Sequence, residues 1–400
     1  MHVGILATHP IQYHAPWLRA LADRVELKVF FAHDPSERER GASGFGESFD
    51  WDVDLLTGYP HTFLENQARS PEVDDSSFFG CDTPEIRNRI HQGGFDAFIV
   101  MGWHAKTFWQ AVIACRRSGT PVLARGDSQL DPSLSVWKRG IKELTHRALL
   151  RAFDGFLGVG TRFVEYLRHY GVDPGRIYHV PHCVDVERFV RQARGARQNG
   201  ELAHVRDQFG LRDGQVIFLF VGKMIWEKAP GSFIEALHRV SPEKENVHGI
   251  MVGTGPLEAE LREKRGQTGA PVHFAGFRNQ SRLPAFYALA DALVLPSQSE
   301  TWGLVVNEAM ACGMPAIVSE AAGCSPDMID EGETGYTFPA GDVSALANRI
   351  RRIADRMENG HSFQPAVKRK AREHSPERAA KCTVEALRRL PKSAVRTRKQ

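Results

Sequence analysis

Along the chain, short runs of consecutive apolar residues alternate with longer stretches in which apolar side chains recur every three or four positions. The runs at residues 1–7, 25–31, 95–101, 121–124, 151–159 and 177–180 are short and mostly apolar, as expected of strands in a parallel sheet. A second series follows at 215–221, 247–252, 272–275, 291–295 and 315–319. Helical spacing fills 15–22, 161–170, 302–312 and 376–390 and begins again at 257 and 343. This order predicts an α/β chain with two doubly wound parallel sheets. Parallel strands bring their carboxyl ends to one edge, so the loops at 8–10, 102–104 and 125–128, and those at 222–228, 253–256, 276–278 and 296–303, are where ligands are expected.

Four hundred residues exceed one ordinary core, which agrees with two domains. The expected boundaries are 1–190 for the first, 191–212 for a linker rich in Arg, Gln and Gly, 213–375 for the second, and 376–400 for a last helix and tail. Residues 34–92 read as loop-rich, with Phe45, Phe49, Trp51, Phe63, Phe78 and Phe79 among polar and glycine residues. So irregular a connection is expected either to face a ligand or to be pinned by aromatic anchors.

Composition narrows the class only a little. With 42% hydrophobic and 25% charged residues the chain reads as an ordinary globular protein. Twelve Lys and Arg against three Glu lie between Lys368 and Gln400, so the basic excess sits in the tail and the rest is acidic overall. That tail suits either a solvated helix with a frayed end or contact with anionic lipid; nucleic acid is not expected as a partner. The six cysteines form no C-x-x-C pair and no zinc spacing, and no run approaches 18 apolar residues. A reducing cytoplasm is the expected setting, with peripheral contact at the inner membrane face as an option.

The chemistry concentrates at 296–315, P-S-Q-S-E-T-W-G-L-V-V-N-E-A-M-A-C-G-M-P. A strand, a loop and a helix follow one another there, and the amides of Trp302, Gly303 and Leu304 at the helix mouth are candidates to hold an anion. Glu300 and Glu308 frame that mouth, about 12 Å apart along a helix axis. Carboxylates accept from sugar hydroxyls, so a diphosphate with a sugar at each end fits between them, provided cations offset the repulsion. Gly222, Lys223 and Lys228 stand in the loop after the 215–221 run and supply such cations. Gly253 and Gly255 let backbone approach closely, while the absence of a third spaced glycine argues against a dinucleotide fingerprint.

Glu300, seven residues, Glu308 and the following A-M-A-C-G-M-P resemble the signature of retaining glycosyltransferases of the GT-B fold, family GT4. The resemblance implies two Rossmann-like domains facing across a cleft, with the C-terminal helix crossing back to the first. It implies a nucleotide-sugar donor, a UDP- or GDP-sugar, held by the second domain without a metal or other cofactor. The acceptor, a glycan, a lipid-linked sugar or a small molecule, would sit on the first domain, often in cell-envelope or exopolysaccharide assembly. Gly222 to Lys228 is similar to the family's V-G-R…E-K-G loop, with Lys223 where Arg is common. Phe277 and Arg278 fall in the loop that holds the base, and Gly335 with Asp342 match the closing pattern.

The first half departs from the family. Ala7, Thr8, His9 and Pro10 replace its glycine loop, and Arg125-Gly-Asp127-Ser replaces the loop that often carries a histidine near the sugar. Asp127, Arg125 or His104 are the candidates to stand in, Thr8 and His9 remain near the cleft, and His182 occupies a P-N-G-V-D…F-like element at 181–189. The residues expected to carry catalysis are thus Glu300, Lys228, Lys223, His104 and Asp127. A nucleotide-sugar epimerase of this architecture and a non-catalytic sugar-nucleotide sensor are the rival readings.

Overall fold

Each buried apolar run forms a parallel strand, and each helical period packs beside the sheet those strands build. The computed structural model describes residues 1–35, 50–72, 77–131 and 135–390. Phe45, Phe49 and the tail beyond 390 lie outside them. The described residues divide into two units, the first comprising 1–35, 54–182 and 376–390, the second 50–53 and 183–375.

In the first unit the order is β1 (His2–Ala7), α1 (His14–Ala22), β2 (Glu26–Phe31), β3 (His61–Phe63), α2 (Ile86–Gly93), β4 (Ala97–Val100), α3 (Lys106–Ser118), β5 (Val122–Gly126), α4 (Val136–Leu149), β6 (Gly155–Gly158), α5 (Thr161–His169) and β7 (Ile177–His179). The second unit runs α6 (Val186–Gln198), α7 (Glu201–Phe209), β8 (Val216–Val221), α8 (Pro230–Val240), β9 (Val247–Val252), α9 (Glu258–Thr268), β10 (Val272–Gly276), α10 (Leu283–Leu289), β11 (Ala292–Leu295), α11 (Leu304–Ala311), β12 (Ala316–Ser319), α12 (Ser325–Met328), β13 (Gly335–Phe338), α13 (Val343–Glu358) and α14 (Gln364–Glu373). Helix α15 (Pro376–Arg389) then returns to the first unit.

Both sheets are wholly parallel, in the orders β3-β2-β1-β4-β5-β6-β7 and β10-β9-β8-β11-β12-β13. In each, the chain moves outward from its first strand and then resumes on that strand's other side. The crevices between β1 and β4 and between β8 and β11 are therefore the switch points where doubly wound sheets receive ligands. The central strands are dry: all six side chains of β8 are buried, as are all four of β4, β11 and β12.

Three expectations change. The linker at 191–212 is helical, most of it in α6 and α7, which pack on α10 within the second unit. Only Phe189, Ala193, Ala196 and Val205 are buried in them, while Val190 is exposed among charged residues, and that made the segment look aperiodic. The loop-rich stretch 34–92 contains β3 and α2. The helix expected at 302–312 spans only Leu304–Ala311, with Gly303 as its N-cap.

Helix α15 is fixed to the first unit by α1. Trp17, 1% exposed, donates its indole N–H to Thr383 Oγ1 at 3.2 Å, and the Arg125 guanidinium lies 4.7 Å from its ring centroid. Trp17→Ala removes a buried aromatic and is expected to destabilise the first unit by about 3–5 kcal/mol. Thr383→Val removes a hydrogen-bond acceptor and keeps the volume, for about 1 kcal/mol. Denaturant midpoints of the two variants check the order; equal losses would mean that the indole's packing carries no more than its hydrogen bond.

Candidate functional site

At the switch point of the second sheet, the loops that follow β8 and β11 are joined through one carbonyl. Glu227 O accepts from the amides of Gln298 at 2.8 Å and Ser299 at 3.2 Å. That clamp sets Lys228 against Glu300, and the two side chains form an ion pair, 23% and 12% exposed. Lys228 ends a short 3-10 turn, Trp226–Lys228, and Ala229 after it has a left-handed backbone, φ 46°, the one non-glycine residue with positive φ among the described residues. The chain accepts that strain immediately beside the lysine.

Glu300 is also held from behind. It bridges Ala322 in parallel fashion, Gly323 N donates to Glu300 O at 2.9 Å, and Cys324 N donates to Trp302 O at 3.0 Å. A side chain at Gly323 would run into Thr301 O, so the close pairing that places Glu300 requires glycine there. Trp302 itself is buried and donates from its indole to Asn307 Oδ1 at 2.9 Å, which fixes the entry to α11.

The remaining expected donor residues line the neighbouring loops. Gly222 N donates to Val252 O, Met224 N to Thr254 O, and Gly253 N to Gly276 O, so the loops after β8, β9 and β10 are stitched side by side. Gly253 and Gly255 were expected to give a ligand room. Their missing side chains instead let these loops meet: a Cβ on Gly253 would strike Gly222 O, and one on Gly255 would lie 2.7 Å from Met224 O. Lys223 follows Gly222 on this edge, and Phe277 and Arg278 follow β10, with Arg278 donating to Phe277 O at 3.1 Å.

Beside that last loop lies a contact the sequence did not reveal. Ser281 N donates to Asp52 Oδ1 at 3.0 Å, its hydroxyl also meets Asp52, and Asn279 Nδ2 donates to Asp50 O at 2.5 Å. Residues 50–53, Trp51 included, thus belong to the second unit, not to an acceptor loop of the first.

Glu308 differs most from expectation. Its carboxylate is fully buried, accepting from Tyr287 OH at 2.6 Å and Gln280 Nε2 at 3.4 Å, and Gln280 in turn accepts from Arg188 at 2.8 Å. In this structure it fastens α10 and α6 to α11. Val306 N, in the first turn of α11, bonds Gly303 O.

The first unit gathers a polar cluster at its own carboxyl edge. Thr8 Oγ1 and His9 Nδ1 are 3.1 Å apart, and His182 Nε2 lies 3.8 Å from Asp127 Oδ2. Arg125, 3% exposed, donates to Val180 O at 3.0 Å and Pro181 O at 3.2 Å. His14, which the sequence did not single out, starts α1 among them; its Nδ1 is buried without a hydrogen bond. Burial and then Arg125, His182 and His9 push its pKa well down, and burial lowers that of His182 against the raising effect of Asp127. Both imidazoles are therefore neutral near pH 7. The His104 ring packs edge-on against Phe108 at 5.3 Å. Among the described residues, no His, Cys, Asp and Glu group suits a metal ion, and no helix is long and apolar enough to cross a membrane.

Comparison with known proteins agrees with this architecture. Residues 15–188 match the family model "Glycosyltransferase Family 4" and residues 203–370 match "Glycosyl transferases group 1". The chain is 32% identical over 213 residues to D-inositol 3-phosphate glycosyltransferase 2 of Catenulispora acidiphila, covering 49% of this chain and 48% of that one. It is 30% identical over 271 residues to D-inositol 3-phosphate glycosyltransferase of Mycobacteroides abscessus, covering 65% and 57%. The chain thus spans about half the length of the curated relatives it matches. Among solved structures, HepE of Anabaena in complex with UDP superposes with a TM-score of 0.72 at 16% identity over 97% of this chain and all of that one. Sucrose-phosphate synthase of Thermosynechococcus elongatus gives 0.71 at 20% identity, over 98% and 99%. With each half matched by its own family model and the whole matched in fold, the chain belongs to the GT4-like glycosyltransferases of the GT-B fold.

Proposed function

We propose that the chain transfers a sugar, with retention of anomeric configuration, from a nucleotide-sugar donor to an acceptor hydroxyl, and that no metal ion takes part. The observation that carries this reading is the Lys228–Glu300 pair at the β8/β11 switch point. Donor binding exchanges partners there: the lysine turns to the diphosphate, and the released carboxylate accepts from the sugar's hydroxyls. As the bond from anomeric carbon to phosphate oxygen breaks, negative charge collects on the diphosphate, where Lys228 and Lys223 stabilise it. The acceptor oxygen bonds the anomeric carbon on the same face, and its proton passes to the departing phosphate oxygen.

Glu308 then acts by position, holding α11 through Tyr287 and Gln280. The neutral His14 and His182, with Asp127, Thr8 and His9, suit hydrogen bonds to an acceptor hydroxyl. The UDP bound in HepE and the phosphorylated inositol named for the curated relatives favour a UDP-sugar and a polar, hydroxyl-rich acceptor. A role in envelope or exopolysaccharide assembly follows by analogy with such enzymes.

Glu300→Ala and Lys228→Ala are each expected to lower turnover by about tenfold or more, about 1.4 kcal/mol of transition-state stabilisation. Initial rates with a cognate donor and acceptor, beside a cooperative melting transition that shows each variant folded, measure this; near-normal turnover in either variant removes the pair from catalysis. A thermal-shift series with UDP-, GDP- and dTDP-sugars should single out one base, since ligand at a hundred times its Kd adds about 2.7 kcal/mol to the folded state. Conversion of that donor to an isomer without any acceptor would establish an epimerase, and binding without turnover would establish a sensor.

A further inference from the structure

Helix α4 is amphipathic the wrong way round for a core element. None of its side chains is buried. Its polar side meets α5: Glu143 hydrogen-bonds His169 at 3.0 Å, Lys142 Nζ lies 5.4 Å from the Tyr166 ring centroid, and the His146 ring is 5.2 Å from that of Tyr170. Its apolar side faces outward, with Val136 84%, Trp137 82%, Ile141 58% and Leu144 77% exposed. At about 100° per residue, Trp137, Ile141 and Leu144 fall on one narrow stripe. Lys138 borders that stripe on one side and Arg147 with Arg151 on the other, all exposed. The helix carries four Lys and Arg against one carboxylate, and Glu143 is already engaged by Arg147 and His169.

We propose that this stripe docks on an anionic lipid surface, with Trp137, Ile141 and Leu144 entering the interface and Lys138, Arg147 and Arg151 meeting lipid phosphates. The charge pattern selects this occupant. A second copy of α4 would set cation against cation with no spare carboxylate to offset them, whereas anionic headgroups satisfy both rims while the apolar stripe leaves water. The inference stands on the helix alone and holds whichever sugar the chain transfers. It also places the membrane contact on α4, not on the basic tail suggested by composition.

The test is co-sedimentation of the full chain with phosphatidylcholine vesicles with and without phosphatidylglycerol. Binding is expected only with phosphatidylglycerol, falling as salt rises. In Trp137→Ser/Ile141→Ser/Leu144→Ser the partition coefficient should drop by about tenfold or more, and in Lys138→Glu/Arg147→Glu by a similar factor. Unchanged melting temperatures show that the fold persists. Equal binding by wild type and the triple variant, which both keep the tail, would overturn the proposal. So would absence of vesicle binding together with a wild-type dimer, by analytical ultracentrifugation, that the triple variant loses.

Discussion

The pairing of Lys228 with Glu300 organises the second unit's ligand edge, and it exists because two loops from adjacent strands are locked through backbone. A carboxylate only 12% exposed needs a partner charge, and the nearest comes from a loop whose path is set by the Glu227 carbonyl and a left-handed Ala229. The pair holds both groups ready without fixing either permanently. Under the proposed function an arriving dianion would compete for the lysine, and the carboxylate it releases would already be aimed by the bridge to Ala322.

Around that pair the architecture supplies rigidity more than direct contacts. The loops after β8, β9 and β10 are fused by main-chain hydrogen bonds that the glycines make possible, and the buried Glu308 ties three helices together. Removing one member of such a network would leave buried polar groups unsatisfied, so its contribution is to hold geometry. The first unit gathers a similar set at its own carboxyl edge, where Arg125 is anchored to backbone carbonyls and two neutral imidazoles lie among groups able to donate or accept.

The strands were legible in the sequence because a strand buried on both faces has to be continuously apolar, and β8 or β11 permits little else. The meeting of Lys228 with Glu300 was legible because their loops follow such strands. The role of Glu308 was not, since helical spacing says nothing about which neighbour covers a side chain. His14 carried no signal beyond its place at a helix start, and Gly323 became meaningful only once Thr301 lay against it. The segments α6 and α7 were misread as a linker because only four of their side chains are buried, and residues 50–53 because long-range pairing by Asp52 leaves no local pattern.

The most direct measurement is a crystal structure with UDP and an intact, unreactive UDP-sugar analogue. The account predicts Lys228 Nζ within hydrogen-bonding distance of the diphosphate and the Glu300 carboxylate turned to the sugar's hydroxyls, with the backbone of both loops unmoved. A diphosphate bound elsewhere, with Lys228 still paired to Glu300, would contradict it.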